Sequence, residues 1–179
     1  TIVQSFMLVV TMPLGGISGG TQPILGFNYG ARRVDRVMSA QRRIFLWCLA
    51  YTSLMFVLAR VAGPLFVRLF TTDPVVAKKA VWAIRICTLA LIPLGLQYEI
   101  VDGFTAIGQV RFSWPLSFWR KTVYFASLFV LPALFGVEAV FYAEAISDTA
   151  GALTSICIHA CVMKKLLARR VTETDKGTP

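Results

Sequence analysis

Apolar residues run through this chain in long stretches separated by short polar ones, and each stretch reaches the roughly 20 residues that a helix needs to cross about 30 Å of hydrocarbon. Five such stretches can be read: residues 2–25, 44–70, 81–107, 112–135 and 137–163. Soluble domains rarely contain several. The pattern predicts an all-α fold, a polytopic membrane helix bundle of about five transmembrane helices over residues 1–167. A polar, disordered, cytoplasmic tail is expected at 168–179.

Helix interrupters refine the picture. The first span carries Pro13, Gly15, Gly16, Gly19, Gly20 and Pro23, residues tolerated in membrane helices where neighbours or cavity water satisfy the freed backbone groups. A bent helix against a cavity is expected. A basic amphipathic stretch, Ala31 to Arg43, is expected to lie along the cytoplasmic surface before the second span. Gly63-Pro64 should bend or shorten that span, and Asp73-Pro74 reads as a turn or a helix start. Pro93 and Gly95 fall in the middle of the third span. Arg120-Lys121 interrupts the fourth, where both side chains can snorkel to the interface.

Composition supports lipid as the solvent: 56% of the 179 residues are hydrophobic and 15% are charged. The net charge of +9 does not signal nucleic acid, because most of it clusters between apolar spans. Arg32, Arg33, Arg36, Arg42 and Arg43 follow the first span; Arg111, Arg120 and Lys121 follow the third; Lys164, Lys165, Arg169 and Arg170 follow the fifth. That alternation is positive-inside spacing and places the C-terminus in the cytoplasm, with the chain multi-pass in the cell's inner membrane. Arg68, Lys78, Lys79 and Arg85 fit the alternation less well. With five spans and an inner C-terminus the chain enters from outside at Thr1, so at least one earlier helix is expected upstream. Cys48, Cys87, Cys157 and Cys161 lie in apolar spans and read as small hydrophobes rather than a disulfide framework. Cys157, His159 and Cys161 resemble a metal cluster, but on a helix the middle residue points away from the other two.

Acidic residues are costly in a bilayer, so those within spans carry information. Four qualify. Glu99 and Asp102 are three apart, and Glu144 and Asp148 are four apart, so each pair is expected to share a helical face. Paired carboxylates in a partly dry cavity suit reversible proton binding, and the same oxygens can coordinate Na⁺. The functional reading is an ion or cationic-substrate site facing a shared internal vestibule. The structural alternative is that these residues lie near the membrane surface or pair with Arg85, Arg120 or Lys121. The run Thr21 to Ala31 joins the amide side chains of Gln22 and Asn28 to Tyr29, Pro23, Gly26 and Gly30. It suits a hinge or gate; equally, Gly26 and Gly30 can end a helix and admit a close neighbour. No nucleophile and base pair and no phosphate-binding loop is present, so no enzyme activity and no cofactor is expected.

Several motifs resemble one family. Gln22-Pro23-Ile24-Leu25-Gly26-Phe27-Asn28-Tyr29-Gly30-Ala31 is similar to the QPIxGFNYGA signature of bacterial multidrug and toxic compound extrusion (MATE) transporters. Ala106-Ile107-Gly108 resembles the family's QAIG segment, Arg120 the arginine of SxxRQ, and Val140 to Asp148 the segment VWxAxPISD. Thr105, Lys121, Phe141 and Ala145 depart from those patterns, and Asp102 stands where a neutral polar residue is common. The resemblance implies a twelve-helix antiporter of two six-helix lobes, exporting cationic or amphipathic drugs in exchange for Na⁺ or H⁺. This chain would be an incomplete C-terminal lobe, supplying helices eight to twelve and partnered by the missing N-terminal lobe. On this reading Glu99, Asp102, Glu144, Asp148, Gln22, Asn28 and Tyr29 bind ion or substrate, Na⁺ being held at the acidic residues. Pro23, Gly26, Gly30 and Arg120 are structural or gating. A lipid-linked-oligosaccharide flippase of the same architecture is the alternative.

Overall fold

A computed structural model describes the backbone of residues 1–175 and the side chains as far as Leu167, Lys164 excepted. Its helices are α1 (Ile2–Gly20), α2 (Gln22–Gly30), α3 (Val34–Val61), α4 (Gly63–Arg68), α5 (Pro74–Cys87), α6 (Leu91–Ala106), α7 (Val110–Phe135) and α8 (Tyr142–Asp175). Three-residue and five-residue 3₁₀ turns at Thr88–Ala90 and Val137–Phe141 precede α6 and α8. Proline chemistry sets several of the breaks. Pro23 has no N–H to offer the Gly19 carbonyl, so the first span divides at Thr21, whose own N–H bonds that carbonyl instead. Pro93 likewise leaves the Leu89 carbonyl without its helical donor, and the third span breaks at Thr88–Ala90. Side chains reinforce the carbonyls just before this break. The Thr88 hydroxyl donates to the Ile84 carbonyl at 2.7 Å, and Arg60 Nη1, reaching over from α3, donates to the Arg85 carbonyl at 2.8 Å and to Thr88 Oγ1 at 2.9 Å. Asp73 caps α5, its Oδ1 accepting from the Val75 N–H at 2.8 Å.

Two expectations need correction. The basic stretch Ala31 to Arg43 does not form its own surface helix. From Val34 it is the first part of α3, because no glycine or proline interrupts residues 34–61. Nor does order end at Ala168: α8 continues to Asp175 through a Lys, Leu, Ala and Arg-rich run of good helix formers. The rest of the expected disordered tail, residues 176–179, lies outside the described residues.

Three stretches, Ile2–Gly30, Val34–Val61 and Val137–Leu167, are long and apolar enough to cross a membrane as judged by length and composition. The third predicted span is divided by its 3₁₀ turn, and α7, at 26 residues, carries Arg111, Arg120 and Lys121 among its apolar positions. α6 is the central element, packed on α1, α2, α3, α7 and α8. Its Leu91, Leu94, Ile100 and Phe104 join Val10 and Leu14 of α1 and Cys48 of α3 in the core. Outward faces are apolar as well: on α7 Phe125, Phe129 and Leu134 are exposed while only Ser113 and Leu116 are buried. Apolar side chains both inside and outside a bundle are the arrangement that lipid, not water, stabilises.

The exposed pair Lys79–Glu138, at 2.8 Å and with both side chains at least 60% accessible, joins α5 to the turn before α8. Glu138→Gln is predicted to cost less than about 1 kcal/mol of stability. A thermal melt in detergent that falls by as much as it does for a core substitution would contradict this.

Candidate polar cleft between α6 and α7

α6 carries an unusually polar run, Gln97-Tyr98-Glu99 and then Asp102, through the middle of the bundle. Helical geometry disperses it. Residues three apart are offset by about 60° around the axis, and in a bundle this tight that offset sends neighbouring side chains to different helices. Asp102 turns toward the first span: Ser18 Oγ of α1 donates to its Oδ2 at 2.5 Å, and Gln22 Nε2 of α2 donates to its Oδ1 at 3.0 Å. Glu99, 2% exposed, lies beside Gln41 of α3, and its Oε1 has no hydrogen-bond partner. Gln41 in turn approaches His159 of α8, Nε2 to Nε2 at 3.0 Å, and the His159 ring packs edge-on against Phe104.

The second predicted pair also separates. Asp148 is buried, and Arg120 Nη1 of α7 donates to its Oδ1 at 3.0 Å. Arg120 therefore turns inward to an ion pair rather than snorkelling to the interface, and its guanidinium carbon lies 5.9 Å from the Tyr98 ring centroid. Lys121 is exposed. Glu144 is half-buried in a different cavity of about 370 Å³, beside Cys87, Tyr124 and Phe141.

A cleft of about 230 Å³ opens between α6 and α7, lined by Gln97, Tyr98, Val101, Asp102, Ser117 and Arg120. It brings a carboxylate, a guanidinium and a phenol ring to one place. The four carboxylates do not share a single vestibule: Asp102 lines the cleft, Asp148 reaches it only through Arg120, Glu144 lines another cavity, and Glu99 lines neither. Of the other expected site residues, Gln22 joins the site through Asp102. Asn28 is engaged with its own helix, Nδ2 donating to the Ile24 carbonyl at 2.8 Å, and Tyr29 packs against the core. Pro23 is exposed as the second residue of α2. Gly26 lies where a Cβ would come within 2.9 Å of the Ala106 carbonyl oxygen, so it permits the close approach of α2 to α6, whereas a Cβ on Gly30 would meet nothing. Ser18, Gln97, Tyr98 and Ser117 were not singled out from the sequence. Gln97 and Tyr98 sit beside Glu99 in the polar run and so left a trace there, but Ser18 and Ser117 are single hydroxyls in apolar stretches and left none.

Fold and cleft together define the class: a polytopic helical membrane protein with an internal polar site between its helices. A family profile described as MatE matches residues 1–137, and the chain belongs to this family of MATE transporters. The multidrug export protein MepA of Staphylococcus haemolyticus (strain JCSC1435) is 25% identical over 151 residues, covering 84% of this chain and 33% of the relative. The structure of the MATE multidrug transporter DinF-BH, solved as a complex, matches with a TM-score of 0.83 at 26% identity, over 89% of this chain and 36% of that one. A crystal structure of MATE in complex with MaL6 matches at 0.84 and 15% identity, over 96% of this chain and 39% of that one, a likeness of fold. The chain spans about a third of the length of the curated relatives it matches.

Proposed function

We infer that this chain contributes to an ion-driven multidrug antiporter, and that Asp102 is the carboxylate at which a cation binds. What carries the reading is the position of Asp102, in a cleft within the bundle, with both oxygens already oriented by Ser18 and Gln22. A preoriented carboxylate with neutral donors suits a small cation that must bind and leave: it takes up a proton directly, or offers oxygens to Na⁺ together with the Ser18 hydroxyl. A cationic or amphipathic drug bound near the same carboxylate competes with that ion. This competition couples export of one to entry of the other as the protein alternates its access. Arg120, held by Asp148, sets the positive edge of the cleft and keeps a cation on the Asp102 side. The chain would lie in the cell's inner membrane with its C-terminus in the cytoplasm, and would work together with a second lobe of the same protein. The names of MepA and DinF-BH, an export protein and a multidrug transporter, support this reading.

The test is efflux of a fluorescent cation from cells expressing the whole protein, with Na⁺ and pH varied separately. Asp102→Asn keeps the size of the side chain but replaces one acceptor oxygen with a donor that meets the Ser18 or Gln22 donor. It is predicted to abolish energised efflux while leaving membrane expression intact, and Asp148→Asn should reduce efflux through Arg120. Unchanged transport in both variants would defeat the assignment. Wild-type efflux that responds to Na⁺ alone, or to pH alone, identifies the ion.

A further inference from the structure

At the other end of α1 and α2 from the chain's first residues, a groove of about 470 Å³ runs between α2 and α3. Its walls change character along its length. Arg36, Ser39 and Arg43 lie on one face of the first turns of α3, three or four residues apart, and Ile24 of α2 with Ile44 and Trp47 of α3 continue the groove as an apolar floor. Both arginines are exposed, and neither takes part in an ion pair; the two such pairs among the described residues are Lys79–Glu138 and Arg120–Asp148. Trp47 is 69% exposed, one helical turn beyond Arg43. The order is two guanidinium groups outside any ion pair, a hydroxyl, a tryptophan and then aliphatic side chains.

We propose that this groove is a binding site for an anionic phospholipid. The arginines and Ser39 hold the phosphate and headgroup, and an acyl chain lies along Ile24, Ile44 and Trp47. The chemistry is matched step by step. Guanidinium groups pair with phosphate oxygens in a bidentate manner, tryptophan settles at headgroup depth, and basic pockets between transmembrane helices on the cytoplasmic side select anionic lipids over zwitterionic ones. Because α3 is continuous through this point, the guanidinium groups and the Ile44 and Trp47 part of the floor belong to one rigid element and stand at a fixed separation along its axis. A free phosphate would use the arginines but have no use for the floor.

The proposal is tested by native mass spectrometry of the whole protein, released from detergent after equilibration with equal amounts of phosphatidylglycerol and phosphatidylcholine. The wild type should retain phosphatidylglycerol preferentially. Arg36→Gln with Arg43→Gln should lower that retention roughly tenfold to thirtyfold, two charges near the headgroup being removed, whereas Arg68→Gln, an exposed arginine on α4, should leave it unchanged. Ser39→Glu, an exposed substitution that places a like charge for the lipid between the arginines, should act in the same direction as the double variant. Equal retention of the two lipids by the wild type, or retention unaffected by both the double variant and Ser39→Glu, overturns the proposal. Inorganic phosphate at millimolar concentration displacing all of the lipid would likewise overturn it, because the site would then be an anion site without a lipid floor.

Discussion

Arg120→Ala is expected to be the most destabilising substitution within the cleft, at about 3 kcal/mol. Its partner Asp148 has a side chain only 2% exposed, against 21% for Arg120. Removing the guanidinium leaves a carboxylate enclosed by helices without its hydrogen-bonded counter-charge, and the cost of breaking such a pair comes chiefly from the orphaned ion and less from the lost attraction. Arg120's partial exposure sets the expected effect at the low end of the range for buried pairs. Two variants separate this cause from lost packing. Asp148→Asn in the Arg120→Ala background removes the orphaned charge and should recover most of the loss, and Lys121→Ala, one residue on and exposed, should cost little. Unfolding midpoints in a detergent titration measure all three. If Arg120→Ala behaves like Lys121→Ala, or if adding Asp148→Asn makes matters worse, the ion pair is not what holds α7 to α8.

The second large effect is steric. Gly95 of α6 is buried against α3, and a Cβ placed on it would stand 2.6 Å from Thr52 Cγ2 and 3.0 Å from Thr52 Oγ1. Thr52 has no room to turn aside: it is fully buried, its β-branched rotamer is stiff, and its hydroxyl donates to the Cys48 carbonyl at 2.9 Å. Gly95→Ala is therefore predicted to cost roughly 1–3 kcal/mol by forcing α3 and α6 apart. Thr52→Ala in the same chain removes both clashing atoms and should restore most of the stability. The opposite sign is expected at Gly16, exposed in α1, where an added Cβ meets nothing and alanine should gain roughly 0.5–1 kcal/mol from helix propensity. Thermal melts in detergent that fail to order these variants as Gly16→Ala above wild type above Gly95→Ala would refute the packing argument.

What sequence could and could not reveal follows from the range of the forces involved. Apolar runs and prolines act locally, so the helical bundle and the trouble at Pro23 and Pro93 were legible. Where the third span gives way was harder to place, since the missing donor of Pro93 is felt four residues earlier, at Leu89. The absence of a breaker from 34 to 61 was also on view, but the change from basic to apolar composition at Ile44 obscured it. Spacing put Glu99 near Asp102 and Glu144 near Asp148. It could not say which helix each would meet, because that depends on how closely neighbours approach. Thr52 of α3 and Gly95 of α6, and likewise Gln41 and His159, 118 positions apart, come together only through tertiary packing. Arg120 was recognised as a possible partner for the carboxylates, and only the fold chose Asp148 from among them.

The contact of Arg60 with the interrupted third span has a mechanical consequence. A side chain rooted in α3 supplies the donor that the backbone near residue 88 lacks, so the joint between α5 and α6 is pinned by a third body. α5 and α6 therefore cannot pivot about this joint independently. Any rotation there either carries α3 along or gives up the 2.8 Å bond from Arg60 and leaves the Arg85 carbonyl with only the longer, 3.3 Å bond from the Thr88 hydroxyl, so motion of these three helices is coupled through Arg60.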